Sequence, residues 1–190
     1  YLYAFGRPLS RQPAIAVVGT RNPSRYGISM ARRLSADLAG MGLTIVSGMA
    51  RGIDSAAHQG ALEAGGTTVA VLGSGLSVIY PRENRRLYFD ISAQGTIVSE
   101  LAVDEPPNSY NFPARNRIIS GMSLGTVVVE AAKKSGSLIT AKLAAEQGRE
   151  VFAVPGNINS FKSTGAHDLL KQGAKLVERA QDVIEEIAPL

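Results

Sequence analysis

Cysteine is absent from all 190 residues, so disulfides, thiolate metal sites and cysteine nucleophiles are excluded. The absence also accords with a reducing compartment. No apolar run reaches the roughly 18 residues of a membrane span, and no secretory signal opens the chain. A cytoplasmic location and no membrane partner are therefore expected. Two nucleotide fingerprints are missing as well. No G-x-G-x-x-G follows the first apolar run, and G-x-x-x-x-G-K-[ST] occurs nowhere, which leaves NAD and ATP readings weak. Histidine occurs only at positions 58 and 167, and neither has triad partners at a recognisable spacing. Catalytic residues, metals and cofactors are accordingly expected to be none.

What is present suits one compact core. Hydrophobic residues make up 45% and charged residues 19%, ordinary for a globular chain with a single domain. The formal net charge of +4 permits an anionic partner. Because residue 1 is Tyr, the chain reads as part of a longer one, with 1–13 as the tail of a preceding module and 14–190 as the domain.

Apolar runs alternate with helical patterns. Strands are predicted at Ala14–Gly19, Leu43–Ser47, Thr67–Gly73, Thr96–Glu100, Thr126–Glu130, Glu150–Val154 and Lys175–Val177. Helices are predicted near 27–40, 54–64, 82–93, 115–122, 137–147, 166–172 and 180–188. In the first helix Met30, Ala31, Leu34 and Leu38 share a face. This alternation implies an α/β fold, a doubly wound, mostly parallel sheet of about seven strands. Ligands of such sheets bind beyond the carboxyl ends of the strands.

The loops at that edge carry glycine and basic residues: Gly19-Thr20-Arg21, Gly48-Met49-Ala50-Arg51, Gly73-Ser74-Gly75, and Lys133 to Ser137. Glycine admits close backbone approach, and arginine offers a planar fork to phosphate oxygens. Segment 112–156 concentrates the signal. Arg115 and Arg117 lie upstream of the β-branched run Val127–Val129, and Ser135-Gly136-Ser137 follows where a helix should start and its free N–H groups attract anions. Other features read as structural. Arg82, Arg85 and Arg86 form the wet face of a helix, Asp54 caps helix 54–64, and His58 is packed or exposed. Glu100 and Glu130 end two strands at the ligand edge, where they could form a carboxylate pair, but they read as partners of Arg115 or Arg117.

Six segments taken in order resemble the DprA family, also called Smf: VVGTRNPSRYG, VSGMARGIDSAAHQGAL, VLGSGLSVIYPRENRRL, SELAVDEPP, FPARNRIISG and VVVEAAKKSGSLITAKLAAEQGREVFAVPG. The resemblance runs from about residue 14 to 177. Ser77 departs from it where Asp is usual, and so does His167-Asp168 where Asn is commoner. It implies an extended Rossmann-like fold and a non-enzymatic protein of natural transformation that binds and protects single-stranded DNA, loads the recombinase RecA onto it, and forms a homodimer. Carried over by position, Gly19, Arg21, Arg51, Arg115, Arg117, Gly136, Ser137 and Lys142 would contact DNA. Bases would stack on Tyr110, Phe112 or Phe161. About five phosphate contacts give a slope of roughly −3.5 for log affinity against log salt. Replacing Arg21 and Arg115 together is expected to nearly abolish binding and leave the fold intact. The rival is an enzyme. SLGTVVVEAA loosely resembles the GGxGTxxE segment of the lysine-decarboxylase-like phosphoribohydrolases, in which Glu130 and Arg115 would act on a nucleoside monophosphate.

Overall fold

The computed structural model describes residues 1–187. Eight strands form one sheet: β1 (Tyr3–Gly6), β2 (Ala14–Gly19), β3 (Thr44–Ser47), β4 (Thr68–Val71), β5 (Thr96–Ser99), β6 (Gly125–Val129), β7 (Glu150–Ala153) and β8 (Lys175–Leu176). The order across the sheet is β1-β5-β4-β3-β2-β6-β7-β8. All neighbours are parallel except β1, which runs antiparallel to β5 with Tyr3 opposite Ser99. Among the described residues seven α-helices cover it: α1 (Arg25–Gly40), α2 (Ile53–Glu63), α3 (Arg85–Gln94), α4 (Asn111–Gly121), α5 (Gly136–Glu146), α6 (Thr164–Lys171) and α7 (Ala180–Ile187).

The central strands are apolar on both sides because helices cover both faces. Ile15, Val17, Ile45, Val127 and Val129 pack with α1, α2 and α7. Their neighbours Ala16, Val18, Val46 and Val128 pack on the opposite face with Ile118 and Ile119 of α4 and Ala141 of α5. A third cluster joins Met49, Ala70 and Ile97 to Leu87, Tyr88 and Ile91 of α3.

The chain winds from β2 through β5 in one direction, then returns to the other side of β2 to lay down β6, β7 and β8. Strand order thus reverses between β2 and β6, the point at which loops diverge and leave a crevice. Ile15 to Gly19 pair in register with Gly125 to Val129. A Cβ on Gly19 would come within 1.9 Å of the Val129 carbonyl and 2.6 Å of Ile53, so only glycine permits this closure.

The doubly wound α/β expectation holds, with corrections. The sheet has eight strands rather than about seven. The added one, β1, lies within residues 1–13, the segment expected to be a tail. Each of its four residues is exposed, so it shows no inside–outside alternation. Helix 82–93 divides into a 3-10 turn, Arg82–Asn84, and α3. Helix 115–122 begins earlier, at Asn111; Pro113 falls in its first turn, where a missing N–H breaks no intrahelical bond. Residue 188, the last of the predicted helix 180–188, lies outside the described residues.

Candidate nucleic-acid interface

The crevice at the reversal point is a cleft of about 620 Å³. One wall is the loop after β2, with Gly19 and Arg21, and another is the start of α5, with Ser135, Gly136 and Ser137. Phe112, Arg115 and Asn116 of α4 and Tyr80 close it. A smaller cavity of about 280 Å³ adjoins it, lined by Arg21, Arg51, Tyr80, Phe112 and Arg115.

Arg21 is exposed, and its guanidinium carbon stands 5.4 Å from the centre of the Phe112 ring. The Tyr80 ring lies 5.5 Å from the same ring, tilted by 39°. A cation over an aromatic face keeps N–H donors free for a further acceptor. Cleft chemistry therefore combines a positive fork with a two-ring apolar surface.

Arg115 is different. Only 4% exposed, it donates from Nη1 to the Gly48 carbonyl at 2.8 Å and also to the Val71 carbonyl. Burial lowers its pKa to about 10, against the favourable field of Asp54. Asp54 is buried too, and desolvation raises its carboxyl above the usual range although Arg115 pulls the other way. Its Oδ2 accepts from the amides of Gly48 at 3.1 Å and Ala50 at 3.3 Å. This corrects the cap expectation: helix α2 starts at Ile53 after Gly52, and Asp54 braces the loop that precedes it. A Cβ on Gly48 would fall 2.6 Å from Arg115 Nη2 and 2.7 Å from Asp54 Oδ2. The two buried charges thus meet against bare backbone, and together they set the loop that carries Arg51. Asn84 and Ser55 complete this bracing: Asn84 Nδ2 donates to the Met49 carbonyl, and Ser55 Oγ to the Ala50 carbonyl.

The start of α5 offers donors. Ser135 is its N-cap, accepting from the Ser137 amide at 3.4 Å, and its hydroxyl lies 2.8 Å from that of Ser137. Gly136 faces open space. These groups point into the cleft opposite Arg21.

The eight expected contact residues therefore separate. Gly19, Arg21, Arg115, Gly136 and Ser137 line the cleft, and Arg51 lines the adjoining cavity while ion-paired with Glu83. Arg117 and Lys142 do not line either space. Two positions along a helix turn by about 200°, so Arg115 faces inward while Arg117 faces solvent and pairs with Glu100. Lys142 lies on the exposed side of α5, 3.7 Å from Glu146. Of the expected stacking residues, Phe112 lines the cleft and Tyr110 and Phe161 do not. Tyr80 takes part without having been singled out; its position after the third strand, in VIYP, was the available signal. The pairing expected of Glu100 holds, whereas Glu130 binds no arginine. Its carboxylate accepts from the Ser24 amide at 2.8 Å and from the Ser24 hydroxyl.

His58 is fully buried on α2, with Nδ1 2.7 Å from Thr68 Oγ1. Because Thr68 donates onward to the Ile45 carbonyl, the ring donates from Nδ1, and burial keeps it neutral by lowering its pKa to about 3. His167 is partly buried and its Nε2 lies 3.0 Å from the Gly156 carbonyl. Among the described residues no cluster of His, Asp and Glu could hold a metal ion, and no helix is long and apolar enough to cross a membrane.

The family model for DNA recombination-mediator protein A matches residues 1–188. Protein Smf of Escherichia coli (strain K12) is 53% identical over 174 residues, which cover 91% of this chain and 46% of Smf. The structure of DNA processing protein A from Streptococcus pneumoniae superposes with a TM-score of 0.93 at 47% identity, over 97% of this chain and 65% of that one. The Helicobacter pylori DNA processing protein A, whose structure addresses its single-stranded DNA binding mode, superposes with a TM-score of 0.87 at 32% identity, over 99% of this chain and 86% of that one. The chain thus spans about half the length of the Escherichia coli relative, and about two thirds of the Streptococcus pneumoniae one. On the family match and these identities, the chain belongs to the DNA recombination-mediator protein A family.

Proposed function

We propose that this domain binds single-stranded DNA non-catalytically, in the cleft between β2 and β6. The observation that carries the reading is the pairing of an exposed guanidinium with two exposed or half-buried rings, opposite a helix N-terminus. Single strands are held by basic grooves that track phosphates and by aromatic faces on which bases stack. Arg21, the Gly136 amide and the Ser135 and Ser137 hydroxyls take phosphate oxygens, and Phe112 with Tyr80 receives a base. Arg51 extends the positive wall, and Arg115 supplies positive potential from the floor while holding Gly48 in place. Arg117 and Lys142 contribute only through contacts outside the cleft. Since phosphates carry no base information, binding is largely independent of sequence.

The likeness to a Helicobacter pylori relative studied for its single-stranded DNA binding supports the same reading. We place the whole protein in natural transformation and DNA recombination, in the cytoplasm, where it protects incoming single strands and loads RecA onto them as a homodimer. The phosphoribohydrolase alternative loses its two principal groups. Both Glu130 carboxylate oxygens are occupied by Ser24, and Arg115 is held by backbone carbonyls.

The test is fluorescence anisotropy of a labelled single-stranded oligonucleotide at two salt concentrations, beside a duplex of equal length. Salt-sensitive binding that favours the single strand is expected. Equal binding of both forms, or none at low salt, would overturn the proposal.

A further inference from the structure

Glu130 has a geometry that neither its strand nor its charge requires. It follows β6 with φ 51°, in the left-handed region that side-chain-bearing residues seldom adopt. It is 5% exposed. From this single position it grips the loop after β2 at both ends. Its backbone carbonyl accepts from the Thr20 amide at 2.8 Å. Its carboxylate accepts from the Ser24 amide at 2.8 Å and from the Ser24 hydroxyl. Between those two points lie Arg21, Asn22 and Pro23.

The fit is close. A Cβ on Gly27 would stand 2.4 Å from Glu130 Oε2, so the first turn of α1 is shaped around this carboxylate. The Ser24 hydroxyl also accepts from the Gly27 amide at 3.1 Å, capping α1. The loop is further tied to α2 by the Ile53 amide, which donates to the Thr20 carbonyl. Arg21 itself has no such bond; its side chain rests on Phe112.

We infer that Glu130 is a positioning residue for Arg21, holding the Thr20–Ser24 loop across the β2–β6 junction so that the exposed guanidinium stands over Phe112. The inference rests on the single-stranded DNA reading above. A strained backbone at a site edge is retained where the surroundings fix it for function, and here the turn at Glu130 aims its carbonyl and its carboxylate at the same loop. A preformed loop places the arginine without an ordering cost on binding.

The test uses Glu130→Gln, Ser24→Ala and Ser24→Thr, each alone and combined with Arg21→Ala. Anisotropy with a labelled oligothymidylate is measured well below each variant's melting temperature. Hydrogen–deuterium exchange of residues 19–25 is followed in parallel without DNA. Glu130→Gln is expected to weaken binding roughly tenfold, to raise exchange in 19–25, and to cause no further loss once Arg21 is alanine. Ser24→Thr, which keeps the hydroxyl, should retain affinity where Ser24→Ala loses it. A folded Glu130→Gln within about twofold of the parent, or one equally damaging with and without Arg21, overturns the positioning role while leaving DNA binding intact. If the parent binds no single strand, the functional reading fails; unchanged exchange in Glu130→Gln then separately overturns the clamp.

Discussion

Arg21 and Arg115 line the same cleft yet answer to different physics. Arg21 is exposed and rests on a ring, so its removal takes away the proposed contact to ligand and nothing from the core. Arg21→Ala is expected to lose about 1.5–3 kcal/mol of binding with an unchanged denaturation midpoint, read by anisotropy and urea unfolding. Arg115 fills buried space between Gly48 and Val71. Arg115→Ala would strand two carbonyls and take from Asp54 its buried counter-charge, a change worth on the order of 3–5 kcal/mol of stability. Urea unfolding checks it, and a midpoint equal to the parent's would contradict it. The expectation that both arginines could be replaced with the fold intact is thereby revised. The distinction was not legible in FPARNR alone, because it depends on which backbone groups the inward side chain meets. The phase itself could be read from Ile118 and Ile119, which lie three and four positions from Arg115 and so share its face; what FPARNR does not show is that the inward arginine is held by the Gly48 and Val71 carbonyls.

Strands and helices were mostly legible, and the exceptions share a cause. The runs at Ile15–Val18 and Val127–Val129 stand out because both faces of a doubly covered strand are apolar. Strand β1 does not, since all four of its residues are exposed and show no alternation, even though the Phe5 ring stacks on Tyr88 of α3. The β2–β6 junction concentrates packing constraint in one residue. Gly19→Ala is expected to cost about 3 kcal/mol, because the methyl group would separate strand from strand; thermal unfolding measures it. The α2–β4 contact carries a pH signature. His58 has its pKa lowered to about 3 by burial, with the Arg115 charge adding to the effect. A lowered value in the folded state means the unfolded chain takes up the proton first. The stability concerned is present above about pH 6.5 and is lost as pH falls toward 3, on the order of 5 kcal/mol in full. Asp54, raised by burial, opposes this trend in the acid range. His58→Gln, which removes one and keeps the other, should flatten the dependence of unfolding free energy on pH between 3 and 6.5. Parallel curves for parent and variant would assign the acid sensitivity elsewhere.

Across the whole molecule, the basic residues are dispersed rather than gathered. Three of the five expected arginines and lysines, Arg21, Arg51 and Arg115, surround the cleft and its adjoining cavity, and two are ion-paired elsewhere. Log affinity for a short single strand should therefore fall with log salt at a slope of roughly −2, against −3.5 for all five. Titrations over a tenfold salt range decide between these values, and the steeper one would return Arg117 and Lys142 to the interface. The order in which the chain is made adds a constraint of another kind. The Ser24–Glu130 bond joins residues 106 apart, and the cleft needs α5 beyond it. Contacts of such long sequence separation form late, after much loop entropy has been overcome. A polypeptide emerging from the ribosome can complete α1, α2 and the β3–β4 pairing well before this bond exists. Arg21 would then sit on an unanchored segment until the second half of the domain arrives, so on the proposed function a nascent chain would be unable to capture nucleic acid until the domain is nearly complete.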